Sequence, residues 1–70
     1  MTAQAKQILL NGEARLVQAS TIAMLVEELN IPGATLLVEH NGNALRREEW
    51  STRSLADGDH VELLRIAAGG

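Results

Sequence analysis

Gln7-Ile8-Leu9-Leu10-Asn11-Gly12-Glu13-Ala14-Arg15-Leu16-Val17 and, two residues on, Ser20-Thr21-Ile22-Ala23-Met24-Leu25-Val26-Glu27-Glu28-Leu29 are the stretch on which the fold turns. Asn11-Gly12 tolerates the positive φ values of a tight turn, and apolar runs flank it, so the first segment predicts a β-hairpin. In the second, Ile22, Leu25, Val26 and Leu29 fall at i, i+3, i+4 and i+7, one stripe of an amphipathic helix. Ser20 and Thr21 are both good N-cap residues, and Glu27 and Glu28 face solvent. Asn30-Ile31-Pro32-Gly33 ends the helix, because proline cannot continue its ladder and glycine permits the reversal.

Outward from this stretch, Leu36-Leu37-Val38-Glu39-His40 reads as a strand running into a second Asn-Gly turn at Asn41-Gly42, with Ala44-Leu45 as a short return strand. Arg46 to Ser54 has no clear period. Asp57-Gly58-Asp59 is a turn signal, and His60 to Ile66 alternates well enough for a final strand. The order β-β-α-β-β-β predicts an α+β fold of the β-grasp type: a mixed sheet of four to five strands with one helix packed across it. The first strand would lie at the centre beside the last. The helix stripe would meet Ile8, Leu10, Leu16, Leu36, Val38, Val61 and Leu63, with Trp50 and Leu55 closing an edge. Leu9, Leu37, Leu64 and Ile66 would fall on the other face, where nothing covers them, and read as a partner-docking surface; the ordinary alternative is scattered surface leucines. Residues 7–66 are expected to form the domain, residues 1–6 a flexible lead and residues 67–70 a flexible tail.

Seventy residues hold one small core, and at 46% hydrophobic and 21% charged the composition is that of a folded domain rather than a disordered segment. Without cysteine there is no disulfide, thiolate nucleophile or zinc-finger spacing, so stability must come from packing. A net charge of -3, with basic residues dispersed apart from Arg46-Arg47, argues against nucleic acid as a partner. No apolar run reaches the roughly 20 residues that cross a bilayer, and Met1 to Lys6 lacks the hydrophobic stretch of a signal peptide, so the protein is expected to be cytoplasmic and away from membranes.

Chemistry concentrates in Ala68-Gly69-Gly70. Two residues without Cβ can thread a narrow channel and present the α-carboxylate of Gly70 to a reagent inside a partner's site. A carboxylate is a poor electrophile, so the expected first step is its attack on the α-phosphate of ATP, giving an acyl-adenylate open to a sulfur donor or an amine. The ATP site would belong to the partner, since the chain has no phosphate-cradling glycine loop. The other candidates are weak. His40 and His60 are isolated and lack further metal ligands; Glu27-Glu28 and Glu48-Glu49 read as solvated surface. Arg46-Arg47-Glu48-Glu49 reads as a salt-bridged surface turn, and Ser20, Thr21, Ser51 and Ser54 have no histidine base at recognisable spacing. No catalytic constellation emerges, and the chain reads as a carrier rather than an enzyme.

From about Gln7 to Gly70 the sequence resembles the ThiS family, the ubiquitin-like sulfur carriers of thiamine biosynthesis. The resemblance rests on Gln7 to Gly12, Thr21 leading Ile22 to Leu29, Arg47-Glu48-Glu49-Trp50, Asp57-Gly58-Asp59 and Ala68-Gly69-Gly70. The arginine-x-x-tryptophan element is the most discriminating of these. The resemblance implies that a ThiF-like, E1-like adenylating enzyme activates Gly70 with ATP and magnesium, neither of them bound by this chain. It further implies that a cysteine desulfurase relay supplies sulfur and that a ThiG-like thiazole synthase takes it from the Gly70 thiocarboxylate. The resemblance also implies that Leu64 and Ile66 lie where carriers of this fold meet their enzymes. The chain departs from the family pattern at Arg46, where proline is common, at His40, where an apolar residue is usual, and in its extension from Met1 to Lys6. A molybdopterin-type or other metabolite sulfur carrier and a ubiquitin-like protein modifier share the tail chemistry and are the alternatives.

Overall fold

The computed structural model describes residues 5–66. In chain order they form β1 (Lys6–Leu10), β2 (Glu13–Val17), α1 (Ile22–Glu28), β3 (Leu36–His40), β4 (Asn43–Leu45) and β5 (His60–Arg65), with 3-10 turns at Gly33–Thr35 and Arg47–Glu49. The strands make one mixed sheet in the order β2-β1-β5-β3-β4. β5 holds the middle position, where the sequence reading puts the first strand; it is parallel to β1 and antiparallel to β3, so the first and last strands are neighbours as expected. This is the β-grasp arrangement.

Both hairpins turn on asparagine and glycine in the left-handed region, with φ of 50° and 84° at Asn11-Gly12 and 51° and 86° at Asn41-Gly42. Each asparagine also does something the turn does not require. Asn11 Oδ1 accepts from the Leu63 N–H at 2.8 Å and its Nδ2 donates to the Leu63 carbonyl at 3.3 Å. Asn41 Oδ1 accepts from the His60 N–H at 2.8 Å, while the Asn41 N–H donates to the His60 carbonyl. The two side chains thus substitute for missing backbone partners on either side of β5. Asn11→Gly keeps the positive φ and removes the clasp, so it is expected to cost about 1–2 kcal/mol in urea denaturation, from the lost hydrogen bonds together with the greater freedom of glycine in the unfolded chain. Unchanged stability would show that the clasp contributes nothing.

The helix starts where its orphan amides find acceptors. Thr21 Oγ1 accepts from Met24 N–H, the Trp50 carbonyl from Ala23 N–H, and the Arg53 carbonyl from Ile22 N–H. Segment 46–55 therefore caps the helix as well as closing the core. At the other end Asn30, at φ 58°, reverses the chain, with Asn30 N–H donating to the Glu27 carbonyl and Ile31 N–H to that of Val26. Asparagine rather than Gly33 supplies the left-handed residue. Gly33 has a different duty: a Cβ there would come within 3.2 Å of Trp50 Cζ3.

The core comprises Ile8, Val17, Ala19, Ile22, Leu25, Val26, Leu36, Val38, Leu45, Trp50, Leu55 and Val61, with Leu10, Leu29 and Leu63 packed against it. Leu16 departs from the sequence expectation. It pairs with Gln7 while Val17 pairs with Lys6, and since strand side chains alternate, burying Val17 turns Leu16 to the opposite face, where it is 67% exposed.

Candidate docking face and carboxyl terminus

Among the described residues, one helix covers one face of the sheet and leaves the other open. By alternation from the buried Ile8, Val38 and Val61, the open face carries Gln7 and Leu9 on β1, Ala14 and Leu16 on β2, Leu37 and Glu39 on β3, Ala44 on β4, and His60, Glu62 and Leu64 on β5. The β3–β5 register sets Leu37 directly opposite Leu64, and they are 50% and 63% exposed. Ile66, also half-exposed, follows at the end of β5, where its N–H donates to the Thr35 carbonyl at 2.7 Å. Leu37, Leu64 and Ile66 thus form an apolar strip that ends where the chain leaves the sheet.

Leu9 stands apart from that strip. It is half-buried and aligned with His60, four residues before Leu64, which at about 3.3 Å per residue places it some 13 Å along the strand. Its neighbour on β2 is the outward-turned Leu16, diagonal to it across the Leu9–Ala14 pair. Leu16 is the face residue that sequence reading missed. Ala68, Gly69 and Gly70 lie outside the described residues.

The second arrangement of interest is polar and enclosed. His40 is 6% exposed, and its Nε2 lies 2.7 Å from Asp59 Oδ2. A carboxylate only accepts, so Nε2 carries the proton; Nδ1 is buried with no hydrogen-bond partner among the described residues. Asp59 also accepts from the Ala56 N–H at 2.8 Å and from Asn41 Nδ2 at 3.1 Å. Desolvation pushes the Asp59 carboxyl up, but the bonds from His40, Ala56 and Asn41 outweigh it and hold the group below its ordinary value of 3.8. The sequence presented His40 as an isolated histidine at an apolar position; it is a tie between β3 and the turn before β5. A carboxyl with a lowered folded-state pKa stabilises above its unfolded value, and that contribution disappears as pH falls through the folded value. The stability difference between the parent and Asp59→Asn is therefore expected to be full at neutral pH and to shrink below about pH 4, measured by urea denaturation across pH. A difference constant with pH would remove Asp59 ionisation from the account.

The charged segment after β4 is the surface turn expected of it, and its ion pair among the described residues is made to Arg53, outside the segment. Glu49 Oε1 accepts from the Arg46 N–H at 2.7 Å and Glu49 Oε2 lies 3.9 Å from Arg53, while the Arg47 guanidinium lies 5.7 Å from the Trp50 ring centroid. Glu28, expected to be plain solvated surface, accepts from the Gln18 N–H and ties the helix to the end of β2.

Comparison with known proteins matches residues 5–70 to the model of the ThiS family. The chain is 34% identical over 65 residues to the sulfur carrier protein ThiS of Escherichia coli (strain K12), covering 91% of this chain and 98% of that protein. It superposes with a TM-score of 0.76 and 32% identity on the crystal structure of the thiamine biosynthesis protein ThiS from Geobacter metallireducens, over 91% of this chain and 99% of that one. The solution structure of a thiamine biosynthesis protein from the same organism gives 0.75 and 31%, over 91% of this chain and 87% of that one.

Proposed function

The chain belongs to the ThiS family, and from that membership we propose that it is a sulfur carrier of thiamine biosynthesis whose Gly70 is the group modified. The observation that carries this reading is the open face whose apolar strip, Leu37, Leu64 and Ile66, stops four residues short of the Gly69-Gly70 carboxylate. Four residues span at most about 14 Å, so an enzyme that takes Gly70 into its site must come up against this strip.

A carboxylate oxygen of Gly70 attacks the α-phosphorus of ATP and pyrophosphate leaves. The outer sulfur of a relay persulfide then attacks the acyl carbon, and AMP departs with one of the original carboxylate oxygens; a thiol cleaves the resulting acyl disulfide, supplying two electrons as it ends in a new disulfide with the relay's sulfur. The thiocarboxylate is the product, and its sulfur passes to the thiazole precursor. ATP and magnesium belong to a ThiF-like adenylating enzyme, the sulfur originates in a cysteine desulfurase relay, and a ThiG-like thiazole synthase is the acceptor. This chain contributes the tail and the surface that presents it; it is acted upon and turns nothing over itself. Leu9, Leu37, Leu64 and Ile66 are the docking residues of this proposal, to which Leu16 is added.

The test is to offer the thiocarboxylated protein to the thiazole synthase of its host and to molybdopterin synthase in parallel. Loss of sulfur from Gly70 with thiazole formation on the first alone is the expected result. Transfer only to the second would assign a different acceptor.

A further inference from the structure

The open face carries a charge arrangement that the apolar strip does not account for. Glu39 on β3 lies directly opposite Glu62 on β5, one step along the same face from the Leu37–Leu64 pair. Directly opposed side chains on antiparallel strands have Cβ atoms about 5 Å apart, and like charges in that position destabilise the sheet. Both residues are exposed, and among the described residues neither carboxylate has an ion-pair or hydrogen-bond partner. Glu28, Glu49, Asp57 and Asp59, in contrast, each accept from a backbone amide. Across from Glu39 on its other side stands Ala44, which offers no cation. The other titratable side chain that the strand registers place on this face is the exposed His60, two residues before Glu62 and not bonded to it.

We propose that the adenylating enzyme seats an arginine or lysine between Glu39 and Glu62, within an apolar surround that covers Leu37, Leu64 and Ile66. The inference rests on the reading that Gly70 is the activated group. Charge complementarity selects this occupant. A second copy of the chain laid face to face would bring four carboxylates together, and nucleic acid or an anionic lipid surface would add phosphates to the two already present. Residues 1–4 and 67–70 contain no lysine or arginine, so those segments supply no cationic side chain to the pair. The adenylating enzyme is the partner that must select this carrier before any sulfur marks it. The segment it receives, Ala67-Ala68-Gly69-Gly70, has no polar side chain to recognise, so selection falls to the folded surface. A basic side chain between the two glutamates relieves their repulsion only in the complex.

The experiment compares the full-length parent, Glu39→Gln/Glu62→Gln and Leu64→Ser for affinity to the adenylating enzyme of the same host, at low and high ionic strength. Thermal midpoints establish that each variant is folded. The double variant is expected to melt no lower than the parent and to bind at least about tenfold more weakly at low salt, with the gap closing as salt rises. Leu64→Ser is expected to bind more weakly at both. Parent-like affinity and salt dependence in the double variant would overturn the proposal, whether or not Leu64→Ser weakens binding. Loading of Gly70 in the parent is measured in the same samples. Failure to load it, with an enzyme shown to load a known carrier, would instead defeat the carrier reading and the proposal with it.

Discussion

Trp50→Ala is expected to lower the stability of the fold by about 3–5 kcal/mol, the range for removing a large aromatic side chain from a core. Trp50 is 6% exposed and is the one aromatic residue among seventy, so no other ring can reorganise to fill the space. Its backbone carbonyl accepts from the Ala23 N–H at the start of α1, and its ring lies against Gly33, so a collapse there disturbs both ends of the helix connection. A domain of this length has about 4–10 kcal/mol in all, which makes the loss a large fraction of the total. Trp50→Phe separates packing from polarity. Trp50 Nε1 is buried without a hydrogen-bond partner among the described residues, so phenylalanine sheds an unsatisfied donor while keeping most of the ring, and its cost should be well below that of alanine. Urea denaturation of the two variants checks both statements. An alanine variant as stable as the parent would mean that Trp50 is kept for partners and not for the core.

Deleting Gly70 is the second large effect, and it divides function from folding. Among the described residues the twelve buried core positions all lie between Ile8 and Val61, so the deletion removes none of them, and the thermal midpoint is expected to stay within about 2 °C of the parent. Sulfur loading by the adenylating enzyme is expected to fall to background, because the carboxylate then sits one residue short of the reacting phosphate and a misplacement of even 1 Å can cost about a hundredfold in rate. Intact-mass loading and a thermal melt on one preparation report the two quantities. A large drop in midpoint would show the terminus to be part of the folded structure.

The local signals in the sequence carried the architecture. The Asn-Gly turns, the stripe Ile22, Leu25, Val26 and Leu29, and the alternation in 36–40 and 60–66 each involve residues only a few positions apart, and the element order left few ways to assemble them. What was illegible depends on pairs distant in sequence. Leu16 and Val17 are adjacent and both apolar, so only the register of Val17 on Lys6 decides which one is buried. The clasp of Asn11 on Leu63 spans 52 residues and His40 on Asp59 spans 19, and neither side chain announces its partner. A signal for His40 did exist: Leu36, Val38 and His40 share one parity of β3, and the first two are core positions. Glu39 and Glu62 were visible only as separate charges until the β3–β5 register placed them side by side. Gly33 resembled a helix terminator because glycine follows proline there, whereas its small size serves the Trp50 ring.

The central claim, that Gly70 carries sulfur, is tested most directly by the intact mass of the protein after incubation with ATP, magnesium, the adenylating enzyme and a sulfur donor of its own host. The expected result is a gain equal to the exchange of one oxygen for one sulfur, located to Gly70 by fragmentation and requiring ATP. An unchanged mass under conditions in which the same enzymes load a known carrier would contradict it.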